Sequence, residues 1–146
     1  MEELTVEAIL GLLGYGSYEE YQRILNGLWE TAPEEYEPLL LELESRNYKD
    51  ALSYLIHRSP VFSNSDRKAE FGKYLMQRLQ TIYNQMTLEE FGSLAHSVWG
   101  MLPGTIDMEE PFYTLNFAED ELSYGNDYSC RKLYEKMFKF YTQSEE

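Results

Sequence analysis

Cys130, His57 and His96 are the only thiol and imidazole side chains in this chain, and they bound the nucleophilic and metal chemistry open to it. Zinc and di-iron sites need ligands at fixed spacings, yet the sequence has no Cys-x-x-Cys, no His-Glu-x-x-His and no Glu-x-x-His. The Asp-x-Asp opening of a calcium loop is also missing. No metal and no other cofactor is expected. Cys130 lies near a predicted helix start, where a thiolate is favoured, but a nucleophile also needs a base and a group to orient that base. The spacing supplies neither, so a buried or half-buried thiol is expected. His57, next to Arg58 at a predicted helix end, and His96, between Ala95 and Ser97 within another helix, read as packing or surface residues. Gly11, Gly14 and Gly16 follow a helical stripe rather than a strand and lack the lysine of a phosphate-binding loop, so they read as helix punctuation. Glu109 and Glu110 form a carboxylate pair, but neighbours on an acidic chain form a solvated cluster. No catalytic activity is expected.

Carboxylate is what the sequence has in excess. It carries 26 Asp and Glu against 12 Lys and Arg, a net charge of −14. Residues 1–60 hold 12 acidic and 4 basic side chains, residues 61–100 hold 4 of each, and residues 101–146 hold 10 and 4. Two acidic regions therefore flank a neutral centre. Such a field repels nucleic acid and anionic lipid and attracts cationic partners, with a strength that salt screens. Two groups of residues are the candidate binding surface. Glu19, Glu20, Glu30, Glu34, Glu35 and Glu37 accompany Trp29 and Tyr36, a carboxylate ring around aromatic anchors that suits an Arg- or Lys-rich partner. Asp107, Glu109, Glu110, Glu119, Asp120 and Glu121 make a second patch.

Short helices are what must position these residues. Val6, Ile9, Leu10 and Leu13 have helical spacing behind Thr5 as a predicted cap, and Gly14-Tyr15-Gly16 ends that element. Ser17-Tyr18-Glu19-Glu20 reads as a capping box ahead of Tyr21, Ile24, Leu25 and Leu28. A third helix carries Tyr36, Leu39, Leu40 and Leu43, with Pro38 placing its start near Glu35 or bending it. Asn47 caps a fourth, closed by Ser59-Pro60. The longest stripe runs from about Asp66 to Gln85, and a second capping box, Thr87-Leu88-Glu89-Glu90, opens a helix that stops at Gly100. Residues 101–111 form a loop. Residues 112–117 read equally as a lone strand, an extended arm or the entry to a short helix at 118–124. The last helix runs from about Tyr128 to Thr142, with basic residues in its later turns complementing its dipole.

The expected architecture is all-α, a single domain of about seven to eight short-to-medium helices: four in 1–58, a two-helix centre in 66–99, and an acidic loop with a C-terminal helix in 100–146. A chain of 146 residues is long enough to build a full core. One cysteine excludes an internal disulfide, and the start has neither a basic n-region nor an apolar run long enough to cross a bilayer. A cytoplasmic monomer or weak homo-oligomer is expected, with no membrane and no nucleic acid among its partners. The function expected is protein binding, as an inhibitor of the bacterial immunity-protein type that neutralises a basic protein such as a nuclease-like toxin. Two alternatives stand beside it. One is DNA mimicry, which needs rows of acids spaced like phosphates. The other is a helical enzyme or ligand-binding domain built on Tyr113, Tyr124, Tyr128 and Asp127.

Overall fold

Helix α1 (Glu2–Leu12) opens the chain in the computed structural model, which describes residues 1–143. Seven consecutive residues of it, Leu4 to Leu10, are buried, so the helix is covered on every side rather than along one stripe. Thr5 does not cap it. The helix begins at Glu2, and the Thr5 hydroxyl lies inside it, bonded to the Met1 carbonyl at 2.8 Å and to Ser59 Oγ at 2.8 Å. Burial of Leu4 carries the helix one turn further back than a capping hydroxyl would allow. At the other end, Tyr15 N–H donates to the Leu10 carbonyl and Gly14 N–H to the Gly11 carbonyl, with Gly14 at φ +88, a Schellman turn.

The rest of the chain is helical too. It forms α2 (Tyr18–Thr31), a 3-10 turn at Glu34–Tyr36, α3 (Glu37–Ser45), α4 (Tyr48–Arg58), a 3-10 turn at Pro60–Ser63, α5 (Ser65–Tyr83), α6 (Leu88–Gly100), α7 (Thr114–Phe117), α8 (Asp120–Ser123), α9 (Asp127–Phe138) and α10 (Phe140–Gln143). No strand occurs among the described residues, and the fold is all-α. The chain divides into two compact units, Met1–Phe71 and Gly72 onward, with the division inside α5.

In the first unit α1 packs against α2 and α4, and α3 packs against α4. Tyr21, Ile24, Leu25, Leu40, Leu43, Leu52, Leu55 and Val61 complete a core around α1. The predicted box at Ser17 is half formed. Ser17 accepts from Glu20 N–H at 3.1 Å, but its own N–H goes to Glu7 Oε1 at 2.9 Å, while the Glu20 carboxylate turns onto Arg23. Glu7 is thus a fully buried carboxylate tying the middle of α1 to the start of α2. The chain reaches it through Gly16, where a Cβ would lie 2.6 Å from Glu7 Oε1 and 2.9 Å from the Gly11 Cα. Pro38 falls in the first turn of α3, where a missing N–H costs no hydrogen bond.

In the second unit Tyr83, Phe91, Tyr134 and Phe138 meet edge to face, with centroids 4.8 to 6.0 Å apart. The Thr87 box is complete: Thr87 Oγ1 accepts from Glu90 N–H at 3.1 Å, and Glu90 Oε1 accepts from Thr87 N–H at 3.4 Å. Residues 112–117 are neither strand nor extended arm. Leu115, Asn116 and Ala118 N–H groups bond back to Phe112, Tyr113 and Thr114, satisfying locally what a solitary strand would leave unpaired. The single predicted C-terminal helix is instead α9 and α10, broken at Lys139, whose N–H turns back to the Lys136 carbonyl.

Glu7→Ala removes the acceptor for Ser17 N–H and opens a hole beside α1, and should cost about 2 to 4 kcal/mol. Glu7→Gln, which keeps an acceptor oxygen, should cost markedly less. Urea unfolding of both variants checks the order; equal losses would show that shape alone holds this joint.

Candidate functional site

A stretch of 22 residues without a basic side chain joins α2 to α3. Residues 24–45 contain six Glu and no Lys or Arg. Glu30, Glu34, Glu35, Glu37, Glu42 and Glu44 are all exposed there. Helix α2 ends by placing Trp29 and Glu30 in solvent, and the 3-10 turn and the first turn of α3 present Glu34, Glu35 and Glu37. These last four acids make no ion pair among the described residues. Acids at the start of α3 gain from its dipole, which keeps them there without a cation.

The apolar part of this surface is Trp29, 38% exposed, and Leu41, 54% exposed. Trp29 Nε1 donates to Glu44 Oε1 at 3.1 Å, which fixes the indole across α3. Leu41 precedes Glu44 by three residues and shares its helix face. Leu41 and Glu44 were outside the predicted set. The signal was present: Leu39-Leu40-Leu41 is a wider apolar run than one helix face buries, so one leucine had to face outward. Tyr36, predicted as an anchor, is half-buried, with the Arg67 guanidinium 4.8 Å from its ring centroid.

Not all the predicted acids join this surface. Glu19 and Glu20 stand in the first turn of α2, about 16 Å along the axis from Glu30 at ~1.5 Å per residue. Glu20 is ion-paired with Arg23, which also reaches Glu3 at 3.4 Å. They form a separate, partly neutralised end.

In the second patch, in the other unit, the carboxylates of Glu110 and Glu119 are engaged by neighbouring side chains. Glu119 Oε1 lies 3.2 Å from His96 Nδ1, Glu110 Oε2 accepts from the Thr114 hydroxyl at 2.6 Å, and the Asp107 carbonyl accepts from Trp99 Nε1 at 2.8 Å. Asp120 and Glu121 lie in the first turn of α8, and Glu109 is exposed. Tyr124 and Tyr128 are 83% and 71% exposed on either side of Gly125, standing in solvent rather than lining a closed pocket. Asp127 is exposed beside them, and Tyr113 packs on Phe117 at 5.2 Å.

No protein-family model, curated protein or solved structure matches this chain. What the arrangement can do therefore rests on its own geometry. No group of three His, Cys, Asp or Glu gathers at metal-binding range among the described residues, and none of their helices is long and apolar enough to cross a membrane.

The strongly shifted groups are buried hydroxyls and one thiol. Burial, with Asp127 adding to it, pushes the Cys130 thiol up to about 11. Burial likewise raises Tyr21 to about 12, reinforced by Glu44, and Tyr141 to about 12, reinforced by Glu109. Tyr134 moves further in the same direction, chiefly through burial, with the neighbouring Cys130 thiol adding to it. These groups resist ionisation, the reverse of an activated nucleophile.

The consequence for stability follows from linkage. Each of these groups holds its proton more tightly folded than unfolded, so its contribution is full below its ordinary value, 9.0 for the thiol, and is lost as pH rises through the folded value. Melting temperature should fall between about pH 9 and about pH 12, and less steeply in Cys130→Ala. Native Cys130 should react with a thiol reagent far more slowly than the unfolded chain does. Fast native labelling would contradict the burial.

Proposed function

We propose that this chain is a small acidic protein-binding module, an inhibitor of the bacterial immunity-protein type that acts in the cytoplasm on a basic partner such as a nuclease-like toxin. The observation that carries this reading is the α2–α3 surface, where exposed Trp29 and Leu41 lie among Glu30, Glu34, Glu35 and Glu37, four acids without an ion pair among the described residues. Unpaired carboxylates speed encounter with a cationic surface and reject anionic ones, and a fixed indole beside an aliphatic side chain supplies desolvated contact area. Glu44 holds the indole in place before any partner arrives, which lowers the ordering cost of binding.

DNA mimicry draws less support. A phosphate-like lattice needs long unneutralised rows of acid, whereas Glu20, Glu42 and Glu119 are each engaged by Arg23, Arg46 or His96.

The test uses a purified basic protein encoded beside this chain's gene. Its affinity should fall about tenfold or more between about 50 mM and about 300 mM salt, as screening removes the steering field. Neutralising Glu30, Glu34, Glu35 and Glu37 to Gln should slow association, and Trp29→Ala should speed dissociation by about tenfold. Binding kinetics unchanged in both variants would reject this surface as the contact.

A further inference from the structure

Arg46, Asp50, Ser53, Tyr54, His57 and Arg58 line an open groove of about 320 Å3 along α4. Five of the six recur at intervals of three and four residues and so share one helix face; Arg46 arrives from the link just before the helix. The guanidinium carbons of Arg46 and Arg58 lie 4.1 and 5.0 Å from the centroid of the Tyr54 ring. That ring packs against both cations along the groove, and the Arg58 fork is left without an acid partner among the described residues. Arg46 also pairs with Glu42 at 3.2 Å, and Arg58 makes no ion pair among the described residues. The one acid in the groove, Asp50, accepts from Asn47 Nδ2 at 3.1 Å.

His57 completes the set. Its Nδ1 lies 2.8 Å from the Ser53 carbonyl, which only accepts, so Nδ1 carries the hydrogen and Nε2 is the nitrogen left for a ligand. A neutral Nε2 accepts from the hydroxyl of a protonated oxyanion, and a charged one donates to its oxygen.

The position of these cations is unusual for the chain. The unit Met1–Phe71 holds 14 acidic and 6 basic side chains, and three of the six, Arg46, Lys49 and Arg58, fall within residues 46–58, with Asp50 the only acid there. The C-terminal ends of α3 and α4 favour cations, Arg46 at the first and His57 and Arg58 at the second, and the groove brings the two ends together.

We propose that this groove binds a tetrahedral oxyanion, either free phosphate or the phosphate of a small monoester, held between Arg46 and Arg58 with His57 Nε2 against one oxygen. Guanidinium forks match the spacing of phosphate oxygens and bind them with two parallel hydrogen bonds. The α2–α3 surface takes no part, so the two proposals fail separately.

The test is an amide-resolved NMR titration of the whole chain with sodium phosphate and, separately, with phenyl phosphate, at ionic strength held constant with sodium chloride. Saturable shifts confined to the amides around residues 46–58 are expected. Affinity should fall about tenfold in Arg58→Gln, which leaves the Arg46–Glu42 pair intact, and about threefold in His57→Ala. Arg58→Lys should not restore it, because an ammonium lacks the planar fork. Both side chains are exposed, and unchanged circular dichroism melts would show that the variants fold. Saturation by phosphate alone assigns the free ion, and saturation by phenyl phosphate alone assigns the monoester; either upholds the site. Shifts that scatter over the chain, that chloride reproduces, or that survive in Arg58→Gln would overturn it.

Discussion

Burial of α1 on every side is the constraint on which the first unit depends. A helical segment with no solvated face must satisfy each polar side chain it carries, and the buried run Leu4 to Leu10 of α1 carries two, Thr5 and Glu7. Thr5 is answered within the helix and by Ser59, so the end of α4 is pinned to the start of α1. Glu7 is answered by Ser17 N–H, so the α1–α2 link is pinned to the helix middle. Gly14 and Gly16 are what let the chain double back that closely, one by its left-handed backbone and the other by its missing side chain. The position of Ser17, and with it the first turn of α2, thus depends on a carboxylate inside the core.

The surplus of acid therefore does several kinds of work. Glu7 is a buried joint. Glu90 closes a capping box, Glu20 and Glu42 take arginines, and Glu110 and Glu119 take Thr114 and His96. Glu30, Glu34, Glu35 and Glu37, at the α2–α3 link, are left without an ion pair among the described residues. A charge sum over the sequence counts these carboxylates equally, but only unpaired exposed ones project a field that a partner meets. In the second patch the Glu110 and Glu119 carboxylates are engaged by Thr114 and His96, contacts that fix the two side chains in place.

Local signals in the sequence were legible and non-local ones were not. Asn47 and Thr87 cap the helices assigned to them, since capping is a contact over three residues that sequence spacing displays directly. Thr5 looked equally like a cap and is not one, because its partner Ser59 lies 54 residues away. Glu7 gave no sign of burial beyond an acid within an apolar run. Trp29, Glu30 and the acids of 34–37 belong to adjoining elements at the α2–α3 link, as their closeness in sequence requires, whereas Glu19 and Glu20 stand at the other end of α2. The break at Lys139 has no glycine or proline to announce it. The α4 groove has no such local signal, because helix periodicity and the α3–α4 link bring its six residues together and none of them marks it alone.

Unit Met1–Phe71 presents two surfaces of opposite sign, and salt acts on them differently. At low ionic strength the net negative field of the unit reaches beyond the α2–α3 surface, draws in cations and opposes anion entry at α4. Near physiological salt the screening length falls to about 8 Å. Each surface is then governed by its nearest side chains: the four unpaired carboxylates on one, and Arg46, Arg58 and His57 on the other. Direct hydrogen bonds survive that screening better than long-range attraction does. The groove on α4 is accordingly the feature whose contacts lose least as salt rises, and the acidic surface is the one whose reach contracts most.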